Sequence, residues 1–225
     1  MIKCLYEMQE CDVMKYAASK VDGGGDDGCW LDLLAIAPVD CAGLFQFLSH
    51  VKNLLRLHIF GNHIGCLELA KFLCENNEVI ECNLSTNNIN DEGVKHLCDA
   101  LKNKNCKLTN LYLYANNIND GVKHLCDALE NENCKLTNLN LSDNNINDEG
   151  AKHLCDPLKN ENCKLTNLGL SRNNINDEGV KHLCDALKNE NCKLTNLYLG
   201  QNNINYEGVK HLCDAAKIHN VQLLF

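Results

Sequence analysis

Long apolar runs are absent from this sequence. No stretch reaches the roughly 18 uninterrupted apolar residues that a membrane span requires, and Met1 to Lys20 lacks the apolar core of a signal peptide. The expectation is a chain that meets no membrane and works in the cytoplasm. Positive charge is also short: 21 lysines and arginines stand against 30 acidic residues, a formal charge of −9. With no basic stripe set apart to override that balance, nucleic acid is excluded as a partner. The Asp-Gly run from Asp22 to Gly28 lacks the alternating acidic ligands and distal glutamate of a calcium loop, and reads as a flexible connector. No Cys-x-x-Cys knuckle of a structural zinc site occurs. No metal and no cofactor is expected.

What is present is repetition. The pattern L-x-x-L-x-L-x-x-N-x-I runs through Leu108, Leu111, Leu113, Asn116 and Ile118, and returns from Leu136, Leu165 and Leu194. Degraded copies precede it at Val79 to Ile89 and at Leu54 to Ile64. The third apolar position falls at Ile59, Leu84, Leu113, Leu141, Leu170 and Leu199, a leucine-rich-repeat spacing. Leu111-x-Leu113 predicts a short strand with both leucines inward. Val94, Leu97, Cys98 and Leu101 share one face of a following helix. Asp91 and Glu92 suit its positive end, and Asn103 and Asn105 help to stop it. Asparagines 62, 87, 116, 144, 173 and 202 form a column where the chain leaves the strand, suited to satisfying turn backbone groups. The one-residue shortening of NDEG to NDG at Asn119 to Gly121 falls in a loop able to absorb it. Pro157, which replaces the alanine of other units, predicts a shortened helix.

The 16 cysteines follow the repeat rather than a disulfide framework. Cys98, Cys126, Cys155, Cys184 and Cys213 share one column, and Cys106, Cys134, Cys163 and Cys192 another. They read as small buried apolar side chains in a reducing compartment. The histidine column His96, His124, His153, His182 and His211 could suggest a metal ladder or pH sensor. Its place on the outer helix face, with Asp99 and its equivalents three residues on, favours ordinary surface pairing. A cysteine hydrolase using Cys29 or Cys66 has no accompanying nucleophile motif or acid–base set. The sequons at Asn83 and Asn140 fall inside strands and are discounted.

The unit NNINDEGVKHLCDALKNENCKLTNLYL, from Asn173 to Leu199, resembles the ribonuclease-inhibitor subfamily of leucine-rich repeats, and especially those of the NACHT and leucine-rich-repeat receptors, the NLR family. The likeness is carried by NCKLTNL at Asn191 to Leu197 and HLCDAL at His182 to Leu187. The opening CLYEMQE, Cys4 to Glu10, looks like the end of the helical region preceding such repeats. The resemblance implies an α/β leucine-rich-repeat solenoid, a right-handed β-α horseshoe with an N-terminal helical cap. Residues 1–50 would form the cap, with a helix over Ile2 to Lys20, the loop at 22–28 and a second helix at Cys41 to Leu48. Residues 51–225 would form about six repeats and a partial last strand. It further implies a non-enzymatic, ligand-sensing and autoregulatory part of an intracellular innate-immune receptor. Its partner would be a protein: the NACHT module of its own parent chain, or a ligand or regulator protein. No G-x-x-x-x-G-K-[ST] phosphate loop occurs, so nucleotide chemistry does not carry over. The alternative is a free-standing inhibitor of ribonuclease type that clamps a basic enzyme.

With Leu111 and Leu113 inward, Asn110, Tyr112 and Tyr114 must face the other, concave side. The best units differ little in their helices but diverge there. One outward column holds Tyr112, Asn140, Gly169 and Tyr198; the next Tyr114, Ser142, Ser171 and Gly200; a third Ala115, Asp143, Arg172 and Gln201. Arg56, His58 and Phe60, then Glu81, Asn83 and Ser85, extend the same face. Such variation is what a surface tuned to a partner shows, and equally what drift shows where packing permits. The candidate partner-binding residues are Arg56, His58, Phe60, Glu81, Asn83, Tyr112, Tyr114, Asn140, Asp143, Arg172, Tyr198 and Gln201.

Overall fold

The structure is a computed structural model that describes residues 29–34, 41–61 and 64–225. Among them, strand and helix alternate. The strands are β1 (Cys29–Leu34), β2 (Leu54–Phe60), β3 (Glu81–Asn83), β4 (Asn110–Tyr112), β5 (Asn138–Asn140), β6 (Asn167–Gly169), β7 (Asn196–Tyr198) and β8 (Gln222–Leu224). The helices between them are α1 (Cys41–Leu48), α2 (Cys66–Glu75), α3 (Asp91–Leu101), α4 (Val122–Leu129), α5 (Asp148–Leu158), α6 (Asp177–Leu187) and α7 (Tyr206–Ala216). All eight strands join one parallel sheet in sequence order. This is the expected α/β solenoid.

The leucine spacing explains the stacking. Leu57, Cys82, Leu111, Leu139, Leu168 and Leu197 lie in register at the centres of successive strands and are fully buried. Across from them, Val94, Leu97, Cys98 and Leu101 of α3 and their equivalents close the core. Helices about 10 Å wide are stacked on strands about 4.8 Å apart, so the array must fan open on the helix side and place its sheet on the inner, concave side.

Two features replace sequence expectations. Pro157 does not shorten its helix: α5 has 11 residues, as α3 and α6 do. The ring sits one residue from the helix end, and the cost falls on hydrogen bonds instead of length. Lys159 N–H bonds to Asp156 O at 3.1 Å, one residue tighter than the Lys102 N–H bond to Cys98 O. The His153 carbonyl, which a residue 157 N–H would normally reach, accepts from Cys126 Sγ of the preceding helix at 3.0 Å. The NDG deletion, by contrast, is not confined to the loop. It removes the first turn of α4, which has 8 residues and no side-chain cap. Elsewhere Asn90, Asn147 and Asn205 cap their helices by accepting from Gly93, Gly150 and Gly208 N–H at 3.0 Å. Asp91 also does more than complement the helix dipole: its Oδ1 accepts Asn119 and Gly121 N–H of the next coil at 3.0 and 2.8 Å.

At the N-terminal end, β1 pairs with β2 and α1 occupies Cys41–Leu48. The sheet thus begins ahead of the division expected at residues 50 and 51. The expected helix at Ile2 to Lys20, the loop at 22–28 and Asn62 of the asparagine column lie outside the described residues. At the other end β8 pairs only with β7, and Phe225 is exposed.

The asparagine column ties coil to coil. Asn144 is 0% exposed; its Nδ2 donates to Leu113 O of the preceding coil at 2.8 Å and to Leu141 O of its own at 3.1 Å. Its Oδ1 accepts Ile118 N–H at 3.2 Å. Asn173 repeats this on Asn144 and Ile146 N–H at 3.1 and 2.8 Å. Asn144→Ala is expected to lower the free energy of unfolding by about 1–3 kcal/mol, because it orphans these backbone groups; unchanged denaturant melting would defeat the assignment. Pro157→Ala restores a helix donor and is expected to raise it by about 1–2 kcal/mol, net of the unfolded-chain entropy that proline removes. A drop in the melting midpoint of that variant would show that the ring's packing outweighs the missing bond.

Candidate partner-binding face

The helix side of the sheet is covered and the other side is free, with three outward columns crossing it. The first runs Arg56, Glu81, Asn110, Asn138, Asn167, Asn196 and Gln222 by backbone register, and the second His58, Asn83, Tyr112, Asn140, Gly169, Tyr198 and Leu224. The structure places all twelve candidate residues on this side. Arg56, Asp143, Arg172, Tyr198 and Gln201 are exposed, and His58, Phe60, Glu81, Asn83, Tyr112, Tyr114 and Asn140 are half-buried. With eight strands the face is about 34 Å long rather than the 24 Å or so that six would give.

At its N-terminal end several polar groups pair across neighbouring strands. His58 Nε2 and Glu81 Oε1 are 3.0 Å apart, and Asn110 Nδ2 donates to Glu81 Oε2 at 3.2 Å. The Phe60 ring meets His58 edge-on at 5.9 Å, which gives the outward phenylalanine a neighbour. Asn138 Nδ2 donates to the Tyr112 hydroxyl at 3.3 Å. Burial first, then the Glu81 carboxylate, pushes the Tyr112 hydroxyl above its ordinary value, against an opposing pull from Arg56. Tyr112 therefore stays neutral and keeps its donor proton at physiological pH.

The invariant asparagines Asn138, Asn167 and Asn196 belong to this face but were not among the candidates. Asn196 Nδ2 donates to Asn167 Oδ1 at 2.6 Å, a link between the last two of these coils. Their signal in the sequence is the repeated Thr-Asn-Leu, whose asparagine must face outward because its leucine faces in. Between Tyr112 and Tyr198 lies a hollow of about 320 Å³ lined by Asn138, Asn140, Ser142, Asn167, Gly169 and Ser171. Gly169 makes it: a Cβ there would stand 2.6 Å from Asn140 Oδ1.

The turn column, Ala115 and its equivalents, has a property that spacing alone does not reveal. Gly61, Thr86, Ala115, Asp143, Arg172 and Gln201 all adopt left-handed backbone, with φ between 51° and 63°. The turn out of each strand imposes it, yet only Gly61 is the residue for which it is free of strain. At Thr86 the branched Cβ makes the conformation especially unfavourable, and its hydroxyl compensates by donating to Ser85 O at 2.7 Å.

The histidine column differs from expectation in its partners. His96 approaches Glu92 at 3.8 Å and His153 approaches Glu149 at 3.7 Å, four residues back; Asp99 pairs with Lys102 instead, at 2.9 Å. Helical side chains lean toward the N-terminus, so each histidine or lysine reaches the carboxylate before it in sequence. Among the described residues no group of three or more His, Cys, Asp or Glu is placed to hold a metal. Twelve cysteines of the described residues are free thiols. Burial pushes the Cys126 thiol up to about 12, and those of Cys82, Cys98 and Cys155 well above the ordinary range. Cys66 is buried with its thiol directed to Ile64 O at 3.8 Å, and Cys29 lies in β1. No described helix is long and apolar enough to cross a membrane.

The Leucine Rich repeat family matches residues 83–98, 132–155, 161–184 and 190–213, in phase with β3, β5, β6 and β7 and the helices beside them. These are leucine-rich repeats. The leucine-rich-repeat array is 39% identical over 75 residues, 33% of this chain, to NACHT, LRR and PYD domains-containing protein 4C of Mus musculus. It is 47% identical over 51 residues, 23% of this chain, to protein 4E of that series from Mus musculus, and 32% identical over 108 residues, 34% of this chain, to protein 14 from Homo sapiens. The matched stretches are 8%, 5% and 10% of those relatives' lengths, so the chain spans a small part of each. The leucine-rich repeats here match the repeat region of NLR proteins. Thr86→Gly is expected to stabilise this array by about 1 kcal/mol by relieving the left-handed strain; a chemical melt showing net destabilisation would mean that the hydroxyl bonds outweigh it.

Proposed function

We propose that this chain is the ligand-sensing and autoregulatory repeat region of an NLR-like receptor, and that it acts in the cytoplasm by protein–protein contact through the open face of its sheet. Fold and relatives together point to a non-catalytic interaction module of NLR-like proteins. The observation that carries the finer reading is the concentration of difference between units. Their helices nearly repeat one another, while Tyr112, Asn140, Gly169 and Tyr198 succeed each other on the free side of the sheet. The strained turn column supports it, since Thr86, Asp143, Arg172 and Gln201 hold side chains where glycine would be more stable. A face about 34 Å long accommodates a standard interface of about 800 Å² per partner. Tyrosine and arginine are the residues from which interface hot spots are most often built. The partner is the NACHT module of the parent chain, or a ligand or regulator protein.

The test is quantitative capture with the purified chain and its Tyr112→Ala plus Tyr198→Ala variant, with Lys95→Ala plus Lys152→Ala on the helix side as control. Loss of at least tenfold of the same proteins from the tyrosine variant alone is expected. Equal retention by both variants would remove the open face from consideration. Inhibition of a basic ribonuclease by the wild-type chain would move the conclusion to the inhibitor alternative.

A further inference from the structure

We propose, resting on the reading that the open face binds protein, that the hollow over Gly169 receives one uncharged aromatic side chain with a polar edge, a tryptophan or tyrosine of the partner. The argument begins with what the hollow is made of. None of its eight lining residues carries a charge at neutral pH: Tyr112 and Tyr198 form the walls, and asparagine, serine and Gly169 the floor. Asp143 and Arg172, the charged residues of the turn column in these coils, stand outside that lining. A cationic or anionic group entering would shed water without meeting an opposite charge. A purely aliphatic group would leave polar atoms of the floor unanswered.

Those polar atoms are available. Asn140 Oδ1 is engaged by Ser142 N–H at 2.9 Å, but its Nδ2 has no protein partner among the described residues. Asn138 gives its Nδ2 to Tyr112 and keeps Oδ1 free, and the Ser171 hydroxyl is likewise unengaged. The walls differ in a useful way. Tyr112 is half-buried and anchored by Asn138, whereas Tyr198 is 40% exposed and its hydroxyl makes no hydrogen bond among the described residues. One wall is fixed and the other is free to settle on a guest ring in an edge or offset contact.

Size narrows the guest further. Tyr112 and Tyr198 stand three strand steps apart, about 14 Å between backbones. The two rings take up part of that span and leave no more than the 10–12 Å that a helix with its side chains needs. The opening admits a side chain on an extended segment or loop. A ring supplies stacking area for the walls, and an indole N–H or phenol O–H supplies a partner for Asn138 Oδ1.

The chain itself provides the means to fill the hollow. Asn83 and Tyr112 are in register on adjacent strands, as Asn140 and Gly169 are, and Asn83 Oδ1 accepts Ser85 N–H just as Asn140 accepts Ser142 N–H. Gly169→Tyr therefore reproduces an arrangement that the array already contains two coils earlier. Asn140 must shift, but the atom that gives way is the far end of a side chain.

The experiment titrates the isotope-labelled chain with N-acetyl-tryptophanamide and N-acetyl-tyrosinamide, followed by backbone amide shifts. N-acetyl-leucinamide, N-acetyl-argininamide and methyl glucoside serve as comparison probes. Saturable shifts centred on Asn140, Gly169 and Ser171 are expected for the aromatic amides, with Kd roughly millimolar for probes of this size and at least fivefold tighter than any comparison probe. Gly169→Tyr and, independently of whether that variant folds, Tyr198→Ala should each weaken binding at least tenfold. Lys152→Ala, on the helix side and outside the lining, should leave it within twofold. Unchanged binding in Gly169→Tyr or Tyr198→Ala, preference for the arginine, leucine or sugar probe, or no saturable shift would overturn the proposal. Partners lost from the double tyrosine variant with no aromatic amide bound would refute the hollow and spare the face. Amide binding with partners retained would refute the face as the protein-binding surface and, with it, the hollow as a protein contact.

Discussion

One coil of this array cannot satisfy its own backbone, because the turn that carries the chain from strand to helix leaves N–H and C=O groups pointing along the stack. A carboxamide answers both polarities at once, and it does so across the coil boundary: Asn116 accepts from Asn87 and Ile89 N–H and donates to Leu84 O and Leu113 O. The column is buried, where an unmatched group is most costly. Every coil thus depends on the one beside it for polar groups as well as for leucine packing, and cooperative stacking follows. Thr109, Thr137, Thr166 and Thr195 add a second line at the strand starts, each hydroxyl bonded to a carbonyl of the preceding coil.

The same stacking frees one face. Helix width forces the array to open on its outer side, and the sheet is left with three solvent-facing columns in which packing makes little demand on the side chain. Demand returns in the turn column of Ala115 and its equivalents, through the backbone. The left-handed turn would be most stable with glycine, yet Thr86, Arg172 and Gln201 occupy it. The strained row Thr86, Ala115, Asp143, Arg172 and Gln201 is one of the columns in which the units diverge, beside the column of Tyr112, Asn140, Gly169 and Tyr198.

Much of this was legible in the residues. Leucine spacing located every strand from Leu54 onward, the asparagine column declared its structural role, and alternation along the strands put Tyr112 and Tyr198 outward. Hydrogen-bond partners were less legible. Pro157 looked like a helix terminator because sequence shows only the missing donor. The sequence does not show the Cys126 thiol standing beside the carbonyl that the proline releases. His96 looked like a partner for Asp99 because both spacings fall on one helix face, whereas the lean of helical side chains selects Glu92. The strand at Cys29–Leu34 was read as part of a cap, since Leu31-x-Leu33-Leu34 carries no repeat signature and gains its place only by pairing with β2.

Periodicity of apolar and amide residues is a one-dimensional property, so the sequence alone determined the repeat, the parallel sheet and which side chains point away from the core. Contacts between residues about 29 positions apart are not local. The left-handed row, the Asp91 link between coils and the hollow between Tyr112 and Tyr198 arise only when neighbouring coils are set in register, and only the tertiary structure decided them.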